Sequence, residues 1–123
     1  MCGRYEIVDG ERVFIRFRVT NKTPTIPDNV DVRPSQQVFA LTTDHELTLM
    51  KWGLVPSWAK DDKISYSTFN ARAEGIERKA SFKQPLRSQR VIIPASAFFE
   101  WKGNKGHKTK YRIARRDGDL SSN

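Results

Sequence analysis

The chain has 123 residues, 37% hydrophobic and 11% aromatic, with 22 Lys and Arg against 14 Asp and Glu, a net charge of +8. That is enough for one small folded domain. It argues against a disordered polyampholyte or an acidic tail, and no apolar run approaches the ~20 residues a bilayer span needs.

The charge is unevenly placed: net +1 over residues 1–40, 0 over 41–80 and +7 over 81–123. Between Ser81 and Arg116 the one acid is Glu100, set among ten Lys and Arg. A basic surface points to polyanions, nucleic acid first. Charge kept for solubility alone is the plain alternative.

In chain order, the segment 1–5, Met-Cys-Gly-Arg-Tyr, has no apolar stretch of the kind a signal peptide carries. Residues 11–19 are ambiguous. Ile15 to Val19 alternates like a strand, yet Val13 and Phe17 also share a helical face. Residues 21–37 read as a long loop with three prolines. Val38–Leu41 and His45–Met50 predict a hairpin across Thr42–Asp44, with His45 a turn residue. Pro56 to Lys63 is turn-rich, and Ile64–Phe69 predicts a short strand. Ala73–Ala80 and Ser81–Gln84 predict short helical turns stopped by Pro85. Arg90–Ile93, Ala97–Trp101 and Lys110–Ala114 predict strands, the last two joined by the loop 103–106. Residues 117–123 read as a turn entering something further. The expected fold is α+β: a strand-dominated mixed sheet or partly open barrel with short flanking helices. A hairpin needs further strands or a helix packed on it, so the chain is expected to stop before its sheet is complete.

The one cysteine, Cys2, excludes an internal disulfide and points to an intracellular protein. With two isolated histidines, His45 and His107, no metal-ligand spacing exists. The position of Cys2 is unusual. Initiator Met is normally removed when a small residue follows, and removal leaves an α-amine beside the thiol. Their reference pKa values are about 7.7–8.0 and about 8.5, so both supply a nucleophilic fraction near neutral pH. Such a 1,2-aminothiol condenses with an aldehyde to a Schiff base and then closes a thiazolidine ring. The plain alternative is an incidental cysteine at a frayed terminus.

Four segments then line up. Met-Cys-Gly-Arg-Tyr at 1–5 is followed by Trp-Gly-Leu-Val-Pro-Ser-Trp-Ala at 52–59, Asn-Ala-Arg-Ala-Glu at 70–74 and Ile-Pro-Ala-Ser-Ala-Phe-Phe-Glu-Trp at 93–101. In order and spacing the chain resembles the SOS response-associated peptidase (SRAP) family, the abasic-site processing proteins, from residue 1 to about residue 114. Each motif is weak alone; four in order are specific. The resemblance implies a sensor of abasic sites in single-stranded DNA that forms a covalent thiazolidine through Cys2. It implies that Asn70 holds the amine or sugar and that Glu100 is a general acid/base. It further implies that Arg4 and Arg72 hold phosphates, while Trp52 and Trp58, with Pro34, give apolar surface against flanking bases. No cofactor, metal or membrane is implied, and a monomer is expected. The place of action is the cytoplasm in a bacterium or the nucleus in a eukaryote.

Each residue also has a plainer reading. Asn70 suits a helix N-cap. Trp52 and Trp101 suit a core, and for Trp101 that is the expectation. Trp101 inside would turn Glu100 away from the core, towards a site or solvent, because strand neighbours face opposite ways. The Lys102–Lys110 cluster reads most simply as a solvated hairpin tip. The family's further His, in a His-Asp-Arg-Met-Pro-like motif, has no counterpart here, which marks the chain as a C-terminally partial SRAP sequence and puts strand-cleaving lyase chemistry in question. Arg33-Pro34-Ser35 stands where Ala-Pro is commoner, and Gly75 follows Glu74. Peptidase chemistry is kept to removal of Met1 or adduct processing. Two other readings remain: a non-catalytic single-strand-binding module, and an N-terminal-cysteine amidohydrolase of the glutamine amidotransferase kind.

Overall fold

The computed structural model describes residues 2–21 and 25–122. The elements run β1 (Tyr5–Ile7), α1 (Glu11–Arg16), β2 (Asn29–Val32), β3 (Gln37–Leu41), β4 (Leu47–Lys51), α2 (Lys83–Ser88), β5 (Pro94–Ala95), β6 (Ala97–Asn104), β7 (His107–Ile113) and β8 (Ser121–Ser122). The strand-dominated α+β class expected from the sequence is the one observed. Four strands form a sheet in the order β2-β1-β6-β7; β3 pairs with β4, and β5 with β8. All these pairings are antiparallel, and no closed barrel forms among the described residues.

The core fills the inner face of this sheet. Tyr5, Ile7 and Val32 from the sheet meet Val38, Leu41 and Leu47 from the β3–β4 hairpin, with Val13, Ile26, Ala95 and Leu120 closing the cluster. At ~25 cal/mol per Å² of apolar area removed from water, this burial is the main force holding the strands together.

The ambiguous segment 11–19 is helical over Glu11–Arg16, and the reason is burial. Val13 is fully buried and Phe17 partly so, whereas Ile15 is 85% exposed, the opposite of what alternation would give. Gly10 opens this helix because a Cβ there would lie 2.5 Å from Ile26.

Other expectations are corrected. Ile64–Phe69 is not a strand. A 3-10 turn spans Lys63–Tyr66, where Ser65 and Ser67 hydroxyls donate to the carbonyls of Asp62 (2.6 Å) and Ile64 (2.9 Å). These local bonds compete with any ladder. Over Ala73–Ala80 the helical turn is confined to Ile76–Arg78, after Gly75 at φ 73°. Pro85 does not stop a helix but sits in the first turn of α2, where its missing N–H costs nothing. The stretch Arg90–Ile93 gives a single bridge, Ile92 to Leu41. The long loop contains β2; its Lys22–Pro24 part lies outside the described residues. The β6 and β7 strands extend to Asn104 and from His107, leaving a two-residue turn at Lys105 and Gly106, the latter at φ 88°. The final segment enters β8 against β5, with Leu120 buried beside it.

Candidate functional site

The N-terminal residues enter β1 at the mouth of a cavity of about 660 Å³, lined by Cys2, Tyr5, Trp52 and Asn70 among others. Cys2 is half-buried and packs against the core. Its thiol donates to the carbonyl of Arg4 at 3.4 Å.

Asn70 reaches this cysteine from 68 residues away: its Nδ2 donates to the Cys2 carbonyl at 2.6 Å. The Trp52-Gly53 pair explains how it gets there. The indole Nε1 of Trp52 donates to the Phe69 carbonyl at 2.8 Å, and Thr68 Oγ1 donates to the Leu54 carbonyl at 2.5 Å. Gly53, at φ 136°, lets the Ser65 backbone come within 2.8 Å of where a Cβ would stand. The two segments are thus pinned together, and Asn70 is the next residue out. It caps no helix, so the N-cap reading is set aside; the following 3-10 turn begins at Ile76, with Gly75 at its N-cap.

Burial pushes the Cys2 thiol above its ordinary pKa. A backbone hydrogen bond at Arg4 pulls the other way, and the negative charge of Glu100 adds to the rise. Glu100 is therefore within electrostatic reach of the cysteine. The Tyr5 hydroxyl is likewise raised, first by burial and then by Cys2. Burial thus favours the neutral thiol over the thiolate.

Of the residues singled out from the sequence, Cys2, Asn70 and Trp52 line the cavity, and Glu100 is tied to them through its charge acting on Cys2. Trp52 serves both readings given to it: it packs on the core, with its ring 5.5 Å from that of Tyr5, and it lines the cavity. Its backbone carbonyl and N–H bond to Ser35 and Gln36, which brings Pro34 alongside. Arg72 is exposed two residues beyond Asn70. Trp58 is 59% exposed on the turn-rich loop. Met1 lies outside the described residues.

Trp101 corrects an expectation. It is not a core residue; it stands 37% exposed on the outer face of the sheet, with the Arg4 guanidinium 5.4 Å from its ring. Phe98, on the same face of β6 as Glu100, packs against the core instead. Alternation was sound, but the inward residue was the wrong one of the two. Lys51 and Arg90 also line the cavity, and nothing in their sequence surroundings marked them. Among the described residues, no cluster of His, Cys, Asp and Glu is placed to hold a metal, and no helix is long and apolar enough to cross a membrane.

The fold is shared with solved structures. A protein from Bacteroides thetaiotaomicron superposes with a TM-score of 0.85 at 23% identity, over 98% of this chain and 57% of that one. A protein from Bordetella bronchiseptica gives 0.79 at 22% identity, over 98% and 61%. Residues 1–122 match the family SOS response associated peptidase (SRAP), and the chain belongs to it. Its relatives include the abasic site processing protein YoaM of Bacillus subtilis, 41% identical over 83% of this chain and 48% of that one. The abasic site processing protein HMCES of Gallus gallus is 38% identical over 66% of this chain and 25% of its own. The chain spans about half the length of the Bacillus relatives it matches.

Proposed function

We propose that this chain processes abasic sites in DNA, acting in the DNA-damage response, and that it does so by closing a thiazolidine between Cys2 and the ring-opened sugar of a single-stranded lesion. The observation that carries the reading is the Asn70 hydrogen bond to Cys2, 2.6 Å long, which fixes the residue bearing both nucleophiles at a cavity mouth. The relatives named for abasic site processing support it.

The chemistry balances as follows. With Met1 removed, the Cys2 amine attacks the aldehyde carbon and water leaves, giving an imine. The thiol adds to that carbon: a C–S bond forms and the thiol proton ends on nitrogen. The raised thiol pKa suits this order. The amine acts first, and the thiol arrives still carrying the proton the nitrogen needs. Glu100 is the general acid/base for ring opening and proton transfer, a role typically worth about 10²–10⁴-fold. Asn70 holds the cysteine. Arg4 and Arg72 take phosphates, and Trp52, Trp58 and Pro34 present apolar surface to neighbouring bases. Stacking of this kind ignores sequence, as a damage reader must. Peptidase activity on this reading is removal of Met1.

Single-stranded DNA with one abasic site, incubated with the mature protein, is expected to give a heat-stable shifted band on a denaturing gel. Cys2→Ser or retained Met1 abolishes it. Binding without any band would leave the non-catalytic module instead, and glutaminase activity would favour the amidohydrolase.

A further inference from the structure

One side chain on the cavity wall has no part in the chemistry above. Tyr5 is 4% exposed and lines the cavity together with Cys2, Trp52 and Asn70. Its backbone is fixed on both sides, paired with Val32 of β2 and Phe98 of β6. Its ring lies 5.5 Å from that of Trp52, tilted by 51°. The Arg4 carbonyl just ahead of it accepts from the Cys2 thiol at 3.4 Å and from the Phe99 N–H at 2.9 Å. Cysteine and phenol are therefore held in one corner, and the charge of Cys2 is felt at the Tyr5 hydroxyl.

That hydroxyl is uncommitted where its neighbours are not. Asn70 Nδ2 donates to the Cys2 carbonyl, Trp52 Nε1 to the Phe69 carbonyl and Thr68 Oγ1 to the Leu54 carbonyl. Among the described residues the Tyr5 hydroxyl has no hydrogen-bond partner. A buried donor without an acceptor is costly, and an acceptor brought in by a ligand relieves the cost. Burial, and then the charge of Cys2, hold the phenol above its ordinary pKa, so its proton stays in place at neutral pH. Glu100 cannot stand in for it, because a carboxylate accepts hydrogen bonds and donates none until it has taken a proton.

We propose that Tyr5 is a further catalytic residue, whose hydroxyl donates a hydrogen bond to the aldehyde oxygen of the ring-opened sugar while the Cys2 amine attacks. The inference rests on the proposed function and adds the group that steadies the reacting oxygen. In this step the nitrogen lone pair forms the C–N bond and the carbonyl π pair moves onto oxygen. Tyr5 donates to that oxygen as its charge grows, and itself gains and loses no proton. Glu100 takes one proton from the nitrogen and passes it to the oxygen, giving a neutral carbinolamine. The hydroxyl then leaves as water, its second proton being the one the nitrogen gives up as the imine forms. A donor already in place needs no reorganisation as the charge develops.

The test is single-turnover cross-linking of an abasic single strand at saturating protein. Tyr5→Phe keeps a ring against Trp52 and removes only the donor. Its cross-linking rate falls about a hundredfold, as for the loss of one oxyanion donor. Its affinity for the strand stays at the wild-type value. So does alkylation of Cys2 by iodoacetamide, which builds no oxyanion and reads only whether the cysteine is still in place. A second measurement does not depend on that variant folding. Tyr66→Phe with Tyr111→Phe, both at exposed positions, leaves Tyr5 as the one tyrosine of the chain. Replacing it there by 3-fluorotyrosine, a stronger donor, raises the rate about twofold or more. Wild-type cross-linking in Tyr5→Phe, a parallel loss of alkylation, or a rate unmoved by fluorination overturns the role of Tyr5. A wild-type protein that forms no cross-link overturns the proposed function, and this step with it.

Discussion

Two strands flank β6 and differ in almost every respect. On one side, every residue of β1 is buried, including Glu6, whose carboxylate accepts from Arg112 Nε at 3.0 Å. On the other, every residue of β7 is exposed. The first begins three residues after the cysteine and lines the cavity through Tyr5. The second carries three of the basic residues that give the chain its charge, Lys108, Lys110 and Arg112. The contrast separates two features that net charge alone runs together: exposed cations on β7, and a buried strand that leads from the cysteine.

Substitutions in the two strands sharpen the contrast. Ile7→Ala in β1, a position 8% exposed, is expected to cost about 2–5 kcal/mol of stability, measured by urea unfolding. Glu100→Gln should lower the maximal cross-linking rate about a hundredfold or more. It also has a signed pH effect. Glu100 helps raise the Cys2 thiol, so removing its negative charge moves the thiol back towards its ordinary value. Titration of the thiol, followed by thiolate absorbance against pH, therefore moves to lower pH in this variant; an unmoved or upward-moved titration would break the link between the two residues. Asn70→Ala should slow cross-linking about tenfold, as the loss of one well-placed hydrogen bond would, with DNA affinity little changed. The smallest effect falls on β7: Tyr111→Ala, half exposed, should change stability by less than about 0.5 kcal/mol. A loss there as large as at Ile7 would erase the distinction between the strands.

Much of this was legible in the residues, for reasons that can be named. The β3–β4 hairpin was readable because alternation and a short polar turn are local signals. The candidate chemistry of Cys2 could be raised from its place in the sequence, without any knowledge of the fold. Asn70 and Glu100 were found as parts of ordered motifs, not through any local property, since their neighbourhood is made by contacts such as Asn70 to Cys2 across 68 residues. Ile64–Phe69 misled because an apolar, aromatic composition suits a strand, while the serine hydroxyls and the docking against Trp52-Gly53 decide for a 3-10 turn. Trp101 misled because size suggested burial. Two cations stand over a ring that stays exposed, an arrangement that needs Arg4 and Lys110 brought together from far apart in sequence.

The most direct measurement is the intact mass of the product formed with an abasic single strand. The proposed chemistry predicts one covalent species with the mass of the protein lacking Met1 plus that of the oligonucleotide, less one water. It should be indifferent to borohydride and absent from Cys2→Ala. A product that retains Met1, one that survives only after borohydride reduction, or no covalent product from folded protein would contradict the thiazolidine at Cys2.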